Sequence, residues 1–239
     1  MLDTKGFIKT VDNFALYGVE IKGNHHNQLS NLRAFLRKYP NTLDAWTQLG
    51  LVEYSTNHYD DTWTSLQIAN SFAEKYPFEQ ADKFSDFMLE TLVKLYEGLG
   101  WLCEKFNNYE MGLIYASRLS QLNPNSAYAW FNLGDFKKNL NLKEEALDAY
   151  HQAVIVSPEN VDSIFYYAKW LIECNHPKEA QKYFERLSDL LKRNPPPPRE
   201  TQVYNLRDIE VGVLTGFAKI AEINKKFKKA RKYFTSGRY

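Results

Sequence analysis

The feature that most constrains this chain is a motif that returns at a fixed spacing. The hexapeptide AWTQLG begins at Ala45 and the hexapeptide AWFNLG begins at Ala129, with Trp, Leu and Gly at the same internal places. Between them, a Leu-Gly pair at 99–100 precedes the Leu-Gly pair of the second hexapeptide by 34 residues. A period of this length is typical of chains that stack one supersecondary unit on the next.

Each unit is expected to be helical. Apolar residues recur at intervals of three and four, as they do in a helix with one buried face. One such stripe consists of Leu142, Ala146, Leu147, Tyr150, Ala153 and Val154. Strictly alternating β-branched runs are absent, and Gly accounts for only 11 of the 239 residues. The sequence therefore predicts an all-α protein.

The best-preserved unit runs from 127 to 160. Its first half carries a large ring and a Leu-Gly pair, its second half carries small residues around a ring, and a proline closes it. These residues are Trp130, Leu133, Gly134, Ala146, Tyr150, Ala153 and Pro158. The pattern resembles the tetratricopeptide repeat, a 34-residue pair of helices, with Lys137 in place of the usual Tyr.

This resemblance implies an architecture. Gly134 is expected to let the second helix of its unit approach the first, where a Cβ would collide. One helix pair cannot bury its apolar face alone, so neighbouring pairs share a continuous core. The expected product is an α-solenoid, a right-handed superhelix with a concave groove.

Two gaps interrupt the 34-residue phase. The units at 93–126, 127–160 and 161–194 are in register, but the unit that starts at Leu43 lies 50 residues before the next one. An Ala-x3-Phe match near the C-terminus sets the last start at Val211, which is again 50 residues after the start before it. We interpret each gap as a first helix extended at its N-terminal end by about 16 residues, or roughly 24 Å.

The chain is accordingly expected to form a single solenoid domain over residues 1–239, with about six helix pairs. The units are placed at about 9–42, 43–92, 93–126, 127–160, 161–210 and 211–239. The first unit matches the pattern poorly, because it lacks both the Trp and the Gly.

In proteins that resemble this one, ligands lie in a concave groove lined by the first helices of successive units. The corresponding positions predict a partner-binding groove of rings and charges at Trp101, Tyr128, Phe131, Asn132, Asp135, Lys138, Phe165 and Lys169. Rings displayed there are expected to bind another protein. The alternative is that they pack against the extended helix of unit 93 or against the chain's own tail.

One known specificity of the family is not expected. Its chaperone-binding members hold a C-terminal carboxylate with Lys, Asn and Arg residues from three units. At the matching positions this chain has Glu97, Trp101, Asn132, Asp162 and Tyr166. Only Asn132 agrees, which argues against recognition of that carboxylate.

Nothing in the sequence assembles a catalytic or metal site. The five histidines include no pair at the i, i+4 spacing of a zinc-binding helix, and none lies near a cysteine. His25 and His26 fall in the polar stretch GNHHNQ, which predicts a solvated loop. Cys103 and Cys174 fit buried or half-buried free thiols, since no His is placed to activate either one. We expect no catalytic residue, no metal, no cofactor and no enzymatic activity.

A basic run lies near the end of the chain, at Lys225, Lys226, Lys228, Lys229, Arg231 and Lys232. The favoured interpretation is the solvated face of a terminal helix, with Phe227, Ala230 and Phe234 turned inward. The alternative is weak binding of nucleic acid or of an acidic surface. Four prolines at 195–198 predict a stiff, extended elbow between helices, in preference to a ligand for an SH3- or WW-type partner.

The predicted function is that of a non-catalytic adaptor that binds a peptide or a helix of another protein in its groove. The alternative is a structural subunit that associates with itself or with a larger assembly. A net charge of +1 gives no global attraction to nucleic acid, which is therefore not the expected partner. No apolar stretch is long enough to span a membrane, and two cysteines make no disulfide framework, so we expect a cytoplasmic protein.

Overall fold

The computed structural model describes residues 25–76, 81, 83–193 and 206–236, with side chains as far as Tyr233. Three sequence predictions fall outside these residues. They concern the first helix of unit 9–42, the elbow formed by the four prolines at 195–198, and the inward position of Phe234.

The described residues form eleven α-helices and no strand, which confirms the predicted fold class. The helices are α1 (His25–Lys38), α2 (Leu43–Ser55), α3 (Tyr59–Ala73), α4 (Asp86–Lys105), α5 (Tyr109–Leu122), α6 (Ala127–Asn139), α7 (Lys143–Val156), α8 (Val161–Glu173), α9 (Pro177–Leu191), α10 (Leu206–Ile223) and α11 (Phe227–Ser236). α2 to α11 make five consecutive pairs, and α1 is the second helix of the first unit. Every second helix begins at position 17 of its predicted unit, which is the spacing that a 34-residue phase with two interruptions predicts.

The chain divides into two compact parts, Met1–Leu122 and Asn123–Tyr239. We call them the N-terminal half, which contains α1 to α5, and the C-terminal half, which contains α6 to α11. The expectation of a single domain over residues 1–239 stays a prediction.

The turn from each first helix to its second helix has the same construction. Position 15 of the unit has a positive φ, between 55° and 64°, in Asn57, Asn107, Asn141, Asn175 and Lys225. The next N–H donates to the carbonyl five residues back, as from His58 to Glu53 at 2.9 Å and from Lys226 to Ala221 at 2.7 Å. A residue in the left-handed conformation, followed by this six-residue hydrogen bond, forms a Schellman cap, which ends a helix. Gly is the most frequent residue at the left-handed position, and Asn also occurs there. The recurring Asn is thus a second periodic signal beside the Trp-Leu-Gly motif.

The residues of the repeated motif hold the helix pairs together. A Cβ on Gly134 would lie 2.7 Å from the ring of Tyr150, so only Gly permits this approach of α6 to α7, as predicted. The indole N–H of Trp46 donates to the carbonyl of Pro40 at 2.7 Å, and that of Trp130 to the carbonyl of Pro124 at 2.8 Å. Each Trp therefore ties its helix to the proline turn before it.

α4 is extended by less than the sequence predicted. It begins at Asp86, seven residues before the predicted unit start instead of about sixteen. Ser85 stops the extension, because its side chain caps the helix by accepting a hydrogen bond from the N–H of Met88 at 3.2 Å. α10 is described from Leu206, five residues before its predicted unit start, and the residues preceding it lie outside the described part.

The predicted loop at GNHHNQ is wrong from His25 onward, because α1 begins there. His25 and His26 are nevertheless exposed, as expected of a solvated stretch.

Each half has an apolar core of its own. In the N-terminal half, Leu32 and Leu36 of α1 pack with Ala45 and Leu49 of α2, and Trp46 lies against this cluster. In the C-terminal half, a larger cluster joins α6, α7, α8, α9 and α10. None of the described helices combines the length and the apolarity that crossing a bilayer requires.

Candidate partner-binding cleft

A cleft of about 410 Å³ lies between α8 and α10 in the C-terminal half. One wall consists of α8 residues, the other of α10 residues, and one α9 side chain also reaches the cleft. The lining is formed by Phe165, Lys169, Ile172, Glu173, Phe184, Asp208, Val211, Gly212, Thr215, Gly216 and Lys219.

The two walls come from equivalent positions of consecutive repeats. Phe165, Lys169, Ile172 and Glu173 occupy positions 5, 9, 12 and 13 of unit 161, which are groove positions by the family resemblance. The same positions of unit 211 supply part of the opposite wall, with Gly212 at position 2, Thr215 at 5 and Lys219 at 9. The predicted groove included Phe165 and Lys169 but omitted the α10 wall. The groove positions of unit 211, had they been included, would have predicted the α10 wall from the sequence.

Phe165 does not display its ring, contrary to the prediction. The residue is only 4% exposed, because its ring lies against Gly212, where a Cβ would be 2.4 Å away. Lys169 is exposed, and its Nζ lies 5.1 Å from the centroid of the same ring. Phe165 therefore contributes to the buried lining of the cleft, while Lys169 lies at its edge.

The rim of the cleft carries charges of both signs. Lys169 and Lys219 face solvent, as do Glu173 and Asp208. Lys219 and Glu173 form an ion pair at 3.5 Å, and pairs this exposed contribute at most about 1 kcal/mol. Val211 adds an apolar side chain that is 37% exposed. The arrangement suits an apolar side chain flanked by polar or charged groups.

The predicted groove residues of α6 have a different role. Phe131 is 5% exposed, with its ring centroid 4.4 Å from that of Tyr166 and 6.0 Å from that of Tyr150. The prediction of a displayed ring is therefore wrong for Phe131 as well, because α7 and α8 supply rings that cover it. Tyr128 is half-buried against the same core, and Asn132 is half-exposed.

Asp135 and Lys138 are also committed to contacts within the C-terminal half. The hydroxyl of Tyr150 donates to Oδ1 of Asp135 at 2.6 Å, and Lys138 pairs with the same oxygen. Burial, and then the negative charge of Asp135, raise the pKa of Tyr150. The phenol therefore stays protonated and keeps donating its hydrogen bond, which joins α6 to α7.

Trp101 belongs to a ring cluster in the N-terminal half. It is half-buried, and its ring centroid lies 5.6 Å from that of Tyr54, which in turn lies 5.5 Å from that of Tyr59. Nearby on α4, burial raises the pKa of Glu97. A role for Trp101 in binding a partner stays a prediction.

The two cysteines are free thiols. Burial raises the pKa of Cys103 to about 12, and it also raises the pKa of Cys174. Both side chains are therefore protonated at neutral pH and are poor nucleophiles. Within the described residues, no group of three or more His, Cys, Asp and Glu side chains is arranged to hold a metal ion.

The basic run lies on the surface, as predicted, but Phe227 does not turn inward. All six cations from Lys225 to Lys232 are exposed, and Ala230 is buried at 2% exposure. Phe227, the first residue of α11, is 67% exposed, so the prediction of an inward ring is wrong for this residue.

Residues 127–160 match the model of the tetratricopeptide repeat family. The uncharacterized protein ycf37 of Cyanophora paradoxa is 28% identical over 100 residues, which are 39% of this chain and only 58% of that relative's length. Among solved structures, MamA of Desulfovibrio magneticus superimposes with a TM-score of 0.59 at 17% identity, covering 77% of this chain and 94% of that one. PilF of Pseudomonas aeruginosa gives 0.64 at 14% identity, over 95% and 90% of the two chains. The chain thus contains a tetratricopeptide repeat at residues 127–160, and its helices have the fold of tetratricopeptide-repeat proteins such as MamA and PilF.

Proposed function

We propose that this protein is a non-catalytic adaptor that holds a peptide or a helix of another protein in the cleft between α8 and α10. The proposal rests on one observation. Groove positions of two consecutive repeats, from Phe165 to Glu173 and from Gly212 to Lys219, line the same cleft. A scaffold of stacked helix pairs creates such concave surfaces as a direct result of how its repeats pack.

The chemistry of the cleft favours a polypeptide. Its interior offers apolar surface from Ile172 and Val211, and its rim balances two lysines against two carboxylates. Binding a nucleic acid would require an excess of cations facing its phosphate backbone, and the rim of the cleft has no such excess. A protein segment supplies an apolar anchor and polar neighbours within a few residues, which is how small interfaces gain both affinity and orientation.

A peptide selection tests the proposal. Peptides selected from a random displayed library on the full chain are expected to bind in the cleft, and Val211→Asp should weaken their affinity by about tenfold or more, because it puts a charge against the apolar anchor. Affinities of the selected peptides are measured by fluorescence anisotropy.

Ile155→Asp is the matched control, since Ile155 of α7 is 53% exposed and lies outside the cleft. It should leave the affinity unchanged. If the two substitutions weaken binding equally, or if neither does, the cleft is not the partner site.

Among the predicted groove residues of the C-terminal half, Asn132 is half-exposed, so it can extend the contact with a partner. A cytoplasmic location, expected from the cysteines, also stays a prediction.

A further inference from the structure

A pocket of about 450 Å³ lies in the N-terminal half, between the start of α3 and the C-terminal end of α4. Two rings, one carboxylate and two uncharged polar side chains surround its apolar floor. The lining consists of Asp60, Trp63, Thr64, Leu102, Cys103, Phe106 and Asn108. Leu102 and Cys103 form the floor, because both are fully buried. None of the lining residues is a cation, while Asp60 presents an exposed carboxylate.

The two rings of the pocket are not part of the repeated motif. Trp63 is at position 21 of unit 43, and Phe106 is at position 14 of unit 93. Position 21 holds Leu113, Leu147, Gln181 and Arg231 in the units that start at 93, 127, 161 and 211. Position 14 holds Thr56, Leu140, Cys174 and Asn224 in the units that start at 43, 127, 161 and 211. The packing of helix pairs therefore does not require a ring at either position.

Trp63 also lacks the hydrogen bond that holds three of the other tryptophans. The indole N–H groups of Trp46, Trp130 and Trp170 each donate to a backbone carbonyl. Trp63 is half-buried, and its indole forms no hydrogen bond and no ring contact within the described part of the chain. Phe106 is 51% exposed. Large rings that share one pocket and remain in contact with water are typical of a binding surface.

Asp60 gives the pocket a preference for a positively charged group. The next residue, Asp61, pairs with Arg33 at 3.7 Å, whereas Asp60 has no ion-pair partner among the described residues. A carboxylate in the first turn stabilises its own helix, and Asp60 has that position in α3. Because it also lines the pocket, the same carboxylate is available to a cation that enters from outside.

A cation of this chain already lies on a ring beside the pocket. Nζ of Lys105 is 4.5 Å from the centroid of Tyr59, and the ring of Tyr59 meets that of Phe106 edge to face at 6.4 Å. Lys105 itself does not line the pocket. Aromatic rings attract cations through the negative charge of their faces, and Trp does so most strongly. Trp63 therefore offers a cation the best ring surface in the pocket.

We propose that this pocket, which we call the Trp63 pocket, binds an arginine side chain of another protein. The planar guanidinium can lie against the rings of Trp63 and Phe106 while it donates two hydrogen bonds to the carboxylate of Asp60. The compact ammonium group of a lysine cannot make both contacts in this geometry. The aliphatic part of the arginine covers the apolar floor at Leu102. This site and the cleft between α8 and α10 belong to different halves, so either can fail without the other.

The test uses the full chain labelled with ¹⁵N and three short peptides of the form acetyl-Gly-Xaa-Gly-amide, in which Xaa is Arg, Lys or citrulline. Citrulline has the shape of arginine without its charge. The Arg peptide should shift the indole N–H resonance of Trp63 saturably, with a Kd of about 1 mM or lower. The indole resonance of Trp130, which donates to Pro124, should stay in place. The citrulline peptide should bind about tenfold more weakly and the Lys peptide about threefold more weakly. Trp63→Phe assigns the resonance.

Two pairs of variants test the assigned residues. Asp60→Asn and Phe106→Leu should each weaken binding of the Arg peptide about tenfold. Asp61→Asn is the control for the first, because Asp61 is the adjacent residue and lines a different pocket. Phe227→Leu is the control for the second, because Phe227 is an exposed ring of the C-terminal half. Both controls should leave the affinity unchanged. All four residues have exposed or partly exposed side chains, and circular dichroism verifies that the fold is retained.

Several outcomes would overturn the proposal. They are an unmoved Trp63 resonance, equal affinities of the Arg and citrulline peptides, and an equal loss in Asp60→Asn and Asp61→Asn. Tighter binding of the Lys peptide would overturn the assignment to arginine. A dimer that light scattering detects and Phe106→Leu abolishes would show that a second copy of this chain covers the pocket, and it would overturn the proposal as well.

Discussion

The two halves of the molecule solve the same packing problem with different side chains. In each, a repeat of normal length is followed by a longer first helix, α4 after α2–α3 and α10 after α8–α9. In each, a Gly at position 6 of the repeat unit that contains the long helix makes room for the residue at position 24 of the unit before it. A Cβ on Gly98 would lie 3.0 Å from the Leu66 side chain, and a Cβ on Gly216 would lie 2.4 Å from the Phe184 ring.

The halves differ at the groove positions. In the C-terminal half, Gly212, on α10 and at position 2 of unit 211, leaves room for the ring of Phe165, which lines the cleft. In the N-terminal half, the equivalent residue of α4 is Lys94, which pairs with Glu90 at 2.6 Å, and Asp44 of α2 is buried nearby. The glycines set how closely the helices pack, while the groove positions line a cleft in one half and carry polar and charged side chains in the other.

The largest expected effect is on stability, and it compares the loss of a buried ring with the loss of a half-buried one. Phe165→Ala should lower the free energy of unfolding of the C-terminal half by about 3–5 kcal/mol, since it leaves a cavity beneath α10. Trp101→Ala should cost the N-terminal half less, about 2 kcal/mol, because that ring is only half-buried. Hydrogen exchange followed by mass spectrometry measures each half separately. Equal losses in the two halves would contradict the assignment of Phe165 to the core.

Asp44 gives the N-terminal half a pH dependence of its own. Burial raises the pKa of Asp44 from 3.8 to about 6, despite a hydrogen bond from Gln48 at 3.5 Å. Its Oδ2 has no hydrogen-bonding partner among the described residues. A raised pKa means that the folded protein holds this proton more tightly than the unfolded chain does. The contribution of Asp44 to stability therefore grows as the pH falls from about 7 to about 4, by as much as about 3 kcal/mol.

Asp44→Asn should remove this dependence and stabilise the N-terminal half at pH 7.5. The measurement is the difference in free energy of unfolding between the original chain and the variant, taken across that pH range. A difference that stays flat across this range for Asp44→Asn would mean that the carboxylate is better solvated than its burial indicates.

The sequence predicts the framework better than the surface. The starts of the second helices follow from the 34-residue phase, and the small residues Gly134 and Ala146 allow α6 and α7 to pack closely. The displayed rings were predicted wrongly for Phe131 and Phe165, since a position rule gives the direction of a side chain but not what its neighbours place over it. Whether Phe165 is covered depends on Gly212, 47 residues further on and beyond an insert. Ser85 caps α4 and so sets the residue at which this helix begins. The stripe of apolar residues that predicted a longer helix does not reveal this capping role.

The smallest expected effect on stability concerns the turns between the first and second helices of the repeats. Four of the five turns place Asn in the left-handed conformation and the last places Lys225 there, at φ 57°. A side chain longer than that of Asn disfavours this conformation, so Lys225→Asn should raise the free energy of unfolding by about 0.5–1 kcal/mol, and Asn175→Lys should lower it by a similar amount. Asn175 is the Asn to substitute, because Asn57 and Asn107 also accept side-chain hydrogen bonds, from Tyr59 and Tyr109.

Thermal denaturation of both variants, compared with the original chain, measures the effect. Opposite shifts of the melting temperature are expected, because the two substitutions exchange the same pair of residues between equivalent turns. Shifts of the same sign would show that neighbouring side chains, and not the backbone conformation at position 15, decide which residue each turn prefers. The expected result would instead mean that this molecule keeps a cation in the left-handed conformation at the α10–α11 turn at a measurable cost in stability.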